Sequence, residues 1–172
     1  MTANDNDDDW WDLDWEVQRQ AGRSAWEALD WADDGPDDDL PPPPGGPLRT
    51  PDDALQLLLG LVGYERSGEP ALWFVLVDAD GVTLPVALPI SDIPQRADPE
   101  VVEGVLRLLR DVLAEHGPGG SVLVGLVRAA GGDRGMFEST WARSLREGAD
   151  EAGVHVWGIA AIGARRARML EW

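Results

Sequence analysis

The stretch SVLVGLV (residues 121–127) decides the fold. Seven residues with one interior glycine and no charge are too few for a buried helix and suit a strand covered on both faces. Amphipathic helices flank it. On one side Asp98 caps PEVVEGVLRLLRDVLAEHG (99–117), with proline at the first helical position and glycine at the stop. On the other, about 135–152, Phe137, Trp141, Leu145, Ala149 and Ala152 share one side, and Gly153 ends the run.

Farther out, ALWFVLVDADGVTLPVALPI reads as two strands, 71–77 and 82–88, joined by an Asp-Gly turn. Pro85 predicts a sheet edge or a bulge beside it. VHVWGIAAI (154–162) and ARRARMLEW (164–172) predict a closing pair that turns near Gly163. Before the first hairpin, TPDDALQLLLGLV opens with a cap at Thr50, a proline and two acids, so a helix is expected over about 51–62. The order is α, β–β, α, β, α, β–β. It predicts an α/β class: a five-stranded mixed sheet made of a hairpin, two right-handed β-α-β crossovers with a parallel middle, and a terminal hairpin, with about three packed helices.

RTPDDALQLLLG (49–60), the hairpin ending in an Asp- and Pro-containing segment, and then helix, strand, helix closing in Gly-Val, and strand resemble an uncharacterised actinobacterial domain family. The resemblance covers about residues 48–160. PISDIP (89–94) departs from the family's pattern. What the match implies is the fold; it brings no catalytic residue.

Three segments follow from composition: an acidic, tryptophan-rich arm (1–32), an Asp/Pro/Gly linker (33–47) and a single α/β domain (48–172). The chain carries 32 acids and 14 basic residues, all of them arginine, for a net charge of −18. Residues 1–45 hold 14 acids and two arginines, so most of the net charge belongs to the arm and linker together. A field of that sign repels phosphate backbones and anionic lipid, which argues against nucleic-acid and membrane partners and for a basic protein surface. With no cysteine and two histidines, His116 and His155, neither a disulfide framework nor a zinc cluster is expected, and no cofactor is implied. The acidic start does not resemble a signal peptide, and the expected location is cytoplasmic.

Within the arm, DDDWWDLDW (7–15) places three tryptophans among aspartates, and residues 15–32 spread Trp15, Trp26, Leu29 and several alanines along one helical side. Gly22 and the short length leave such a helix marginal in water, so the arm is expected to be disordered or conditionally helical. Self-repelling aspartates keep the rings available, which makes Trp10, Trp11, Trp15, Trp26, Leu29 and Trp31 the candidate partner-binding residues.

In the domain, VRAAGGDRGMF (127–137) leaves a strand and enters a helix, the place where open α/β sheets bind ligands. Arg128, Gly131, Gly132, Asp133 and Arg134 are the candidate residues for an anionic ligand. The spacing matches no phosphate-binding signature, and the plain reading is a loop with Asp133 as helix cap. Arg165, Arg166 and Arg168 form a basic cluster suited to latching the arm within one molecule. Ser91, Ser139 and Ser144 sit in no nucleophile motif, and Asp78 with Asp80 is explained by turn chemistry. The expected function is therefore a non-enzymatic interaction or regulatory protein, with a small-ligand-binding or enzymatic domain as the alternative.

Overall fold

The computed structural model describes residues 45–172. Helix α1 (Pro51–Val62) leads through a short 3-10 turn into strands β1 (Ala71–Val77) and β2 (Thr83–Ile90). Helix α2 (Pro99–His116), strand β3 (Ser121–Val127) and helix α3 (Met136–Ala152) follow, and strands β4 (Val156–Ile162) and β5 (Ala167–Glu171) close the domain. The five strands form one mixed sheet in the order β2-β1-β3-β4-β5.

Local chemistry accounts for most of these boundaries. Thr50 and Asp53 form a capping box at the start of α1, with the Asp53 amide donating to the Thr50 hydroxyl at 3.1 Å and the Thr50 amide to the Asp53 carboxylate at 2.8 Å. Partial desolvation raises the Asp53 pKa, but hydrogen bonds from Thr50 and Arg49 and the Arg49 charge outweigh it and leave the carboxyl below its usual value. Asp98 caps α2 by accepting from the Glu100 amide at 2.9 Å. Gly153 closes α3 in the left-handed conformation that a side chain disfavours.

Both crossovers join strands that point the same way, yet only β4 lands beside its parallel partner, β3. Strand β1 lies between β2 and β3 and is antiparallel to each. The expected parallel middle is thus reduced to one ladder. The physical reason is the tight 78–82 turn, which pairs β1 with β2 locally and leaves the other flank of β1 to receive β3.

The sheet separates two cores. Leu72, Phe74 and Leu76 of β1 face α2 and α3, joined there by Leu109, Phe137, Trp141 and Leu145. Trp73, Val75 and Val77 face the opposite side, where Leu57 and Leu58 of α1 cover them together with Leu123, Ala160 and Ile162. Strand β3 is buried throughout, as its sequence requires. The PISDIP segment is tied down by side chains. Asp92 takes a left-handed conformation (φ 56°), Ile93 is buried, and the Trp141 indole N–H donates to the Pro94 carbonyl at 3.0 Å.

Strand β2 is an edge strand and its ladder with β1 shifts register between Val75 and Val77, so Pro85 has both features its sequence position predicts. Pro85 and Pro89 are exposed. At the other edge, the Arg134 guanidinium donates to the Leu170 carbonyl at 3.0 Å. No helix among the described residues is long and apolar enough to cross a membrane.

Candidate functional site

The arm residues Trp10, Trp11, Trp15, Trp26, Leu29 and Trp31 lie outside the described residues. The loop residues Arg128 to Arg134 and the cluster Arg165 to Arg168, read as separate features in the sequence, meet in one constellation at the carboxyl ends of β3 and β4.

Glu138 is at its centre. This carboxylate is fully buried on the first turn of α3. Arg128, at the end of β3, holds both of its oxygens, with Nη2 at 3.0 Å from each and Nε at 3.3 Å from Oε1. The Gly135 amide donates to Oε2 at 3.1 Å. A buried charge needs a partner and satisfied lone pairs, and Glu138 has both. The Arg128 guanidinium also stacks 5.4 Å from the Phe137 ring centroid, which shields one side of the pair.

The glycines of the loop make room for this carboxylate. A Cβ on Gly131 would lie 2.8 Å from Glu138 Oε1, and one on Gly135 would lie 2.5 Å from Oε2. Gly132 (φ 86°) and Gly163 serve a second close approach, between the loop and the β4–β5 turn. A Cβ on Gly132 would meet the Arg166 carbonyl at 2.1 Å, and one on Gly163 the Gly131 carbonyl at 2.2 Å. The backbones are hydrogen-bonded there, with the Ala164 amide donating to the Ala129 carbonyl at 3.1 Å.

Asp133 differs from its expected role. The helix cap is Gly135, completed by Glu138 three residues on, and Asp133 lies outside the helix. Its carboxylate accepts from the Arg134 amide at 2.8 Å and from Arg168 at 3.0 Å, while Arg166 approaches to 3.5 Å. Two guanidinium groups from the terminal hairpin draw it away from the helix end, which already has a carboxylate. The Arg134 amide holds its carboxyl below the usual aspartate value; desolvation opposes this, and the charges of Arg166 and Arg168 reinforce it.

The remaining contacts are carbonyl clamps. Arg66 Nε donates to the Gly163 carbonyl at 3.0 Å, and Arg166 Nε to the Gly131 carbonyl at 3.3 Å. Arg165 is exposed and makes no ion pair with a described residue. Glu138 and Arg66 were not among the residues singled out from sequence. Glu138 had a signal, since glutamate three residues into a helix start is half of a capping box. Arg66 had none.

His116 and His155 are exposed and far apart in the chain. Among the described residues no group of three or more acids and histidines gathers to hold a metal. Ser144 lines an open groove of about 580 Å³ between α2 and α3, floored by Val102, Leu106 and Gly148. Ser139 borders a smaller hollow of about 300 Å³ with Arg134, Arg143 and Arg146. No hydrogen bond links either serine side chain to a histidine among the described residues. Comparisons with protein-family models, curated proteins and solved structures return no match to this chain.

Proposed function

We propose that this protein is a non-enzymatic interaction or regulatory protein: its α/β domain is a scaffold, and its acidic arm docks Trp10, Trp11, Trp15, Trp26, Leu29 and Trp31 into apolar grooves of a protein partner rimmed by basic residues. One observation on the domain supports this over an anion-binding or catalytic loop. The glycine-rich 128–135 turn already encloses the chain's own Glu138 carboxylate at the positive end of α3, where a ligand anion would otherwise sit. Gly131, Gly135 with its amide at the helix start, and Arg128 are all engaged by that carboxylate. The arm's five indoles serve no purpose in a tail that supplies charge alone.

The rings are the anchors and the aspartates steer the encounter. The test is affinity capture with the full chain and with its Trp10→Ala/Trp11→Ala/Trp15→Ala variant, followed by titration of the captured protein. The variant should bind roughly 2–4 kcal/mol more weakly, the usual weight of a few buried aromatic anchors. A variant that binds normally, or a chain that is stabilised thermally by small anions through Arg128, overturns this reading in favour of the ligand-binding one.

A further inference from the structure

Five arginines are carried by the segments that meet at this end of the sheet, the 128–135 loop, the β4–β5 turn and the 3-10 turn: Arg66, Arg165, Arg166 and Arg168, with Arg134 reaching along β5 to the Leu170 carbonyl. The segments that carry them, 63–68, 131–134 and 164–168, contain two acids, Glu65 and Asp133. These segments are therefore net positive by three charges, on a domain (46–172) of net −6. Overall repulsion does not account for so local a reversal of sign.

Three of these guanidinium groups are held in place. Arg66, Arg134 and Arg166 each donate one N–H to a backbone carbonyl, of Gly163, Leu170 and Gly131 respectively. An arginine carries five N–H donors, so each keeps others in reserve in an orientation already fixed, which lowers the entropy lost on meeting a carboxylate. Exposed apolar residues lie close in the sequence as well. Of the four large apolar side chains exposed among the described residues, Tyr64 and Met136 stand two positions from Arg66 and Arg134. Fixed arginines on segments that also carry exposed apolar residues suit a ligand with carboxylates and aromatic rings, because guanidinium groups stack on indole as well as pairing with acids.

We propose that this end of the sheet is a docking surface for an aspartate-rich peptide segment that also carries tryptophan. Glu138 takes no part in it; its carboxylate is already satisfied, so the incoming acids meet the outer arginines. The proposal is independent of what the arm itself docks onto.

The probe is a peptide with the sequence of residues 5–16, DNDDDWWDLDWE. It is titrated into the full chain in which Asp5, Asp7, Asp8, Asp9, Asp12 and Asp14 are replaced by asparagine, so that the chain's own arm does not compete. Amide NMR should show saturable shifts at Arg66, at 131–134 and at 163–168. Binding should weaken roughly threefold or more with Arg165→Glu, a residue in no described contact, and fade at about 1 M salt, where the screening length is about 3 Å. If the unmodified chain alone already shows these resonances at their peptide-bound positions, its own arm is an occupant and the surface is supported. Absence of saturable shifts, or unchanged affinity in Arg165→Glu, overturns the proposal. Equal shifts with inorganic phosphate also overturn it, leaving a small-anion site in place of a peptide surface.

Discussion

The two ends of the sheet are held by different chemistry. Where β1 ends and β3 begins, the backbone closes on itself through short turns with no arginine–carboxylate pair among the described residues. Asp78 Oδ1 accepts from the Asp80 and Val82 amides at 2.9 and 2.8 Å, and Gly81 supplies the positive φ. Thr83 exchanges hydrogen bonds with Gly45 and Gly46. Apart from the Thr83 clasp, these contacts span a few residues. At the opposite end, Arg128 reaches Glu138, Arg168 reaches Asp133 from 35 positions away, and Arg66 reaches Gly163 from 97. One end is local and free of arginine–carboxylate pairs among the described residues, whereas the other is ion-paired and long-range. Stability at the second should therefore depend on charge, salt and acid in ways the first does not.

The sharpest way to break this contrast is Glu138→Ala. Removing one partner of a buried pair leaves Arg128 uncompensated, and a loss of roughly 3–5 kcal/mol is expected in denaturant unfolding. A cost below about 1 kcal/mol, the weight of an ordinary cap, would show that the pair does not hold this end. Gly132→Ala comes next. Its left-handed conformation alone costs about 1–3 kcal/mol for a side chain, and the Arg166 carbonyl must also shift. A stability equal to that of the parent would mean that the loop and the turn are not in close contact.

At the local end, Asp78→Ala removes two side-chain hydrogen bonds, each worth about 1 kcal/mol net. The loss should be the same at low and high salt, and a strong salt dependence would erase the distinction between the ends. The smallest effect belongs to Asp133→Asn, because its pairs with Arg166 and Arg168 are exposed and screened. Here salt dependence is expected. The same group gives a pH signature. With its pKa lowered in the folded state, Asp133 contributes above the ordinary value of 3.8, and the contribution is lost as pH falls through the lower folded value. Carboxyl-detected NMR should place its midpoint below 3.8, and a midpoint at or above that value contradicts the bridging geometry.

The same contrast explains how far the sequence could be read. Thr50, Asp98, Gly81 and Gly153 act on neighbours a few positions away, so the helices, the first hairpin and the class of the sheet were legible in order. The position of β1 between β2 and β3 was not, because alternation and caps say nothing about which flank of a strand receives a distant one. At the arginine-rich end, the loop and the basic cluster were each visible, but their union depends on backbone contact between Gly132 and the Arg166 carbonyl, which no periodicity encodes. The role of Asp133 changed for the same reason: a local rule offered it the helix end, and two distant guanidinium groups took it. Glu138 stood in view as a glutamate three residues past Gly135, and its burial is what turned a routine cap into the anchor of that end.

The two margins of the sheet bear on assembly. On β2, exposed Pro85 and Pro89 lack the amide hydrogens that a further strand would need. On β5, the Leu170 carbonyl is occupied by Arg134. Growth of the sheet by added strands is disfavoured from either side, so this domain is not a template for continuous β-stacking between molecules. At these two margins a partner is met more readily through side chains, whose identity can be changed one at a time, than through backbone pairing that almost any sequence can imitate. A partner made that way can be selected by composition, and lost by a single substitution.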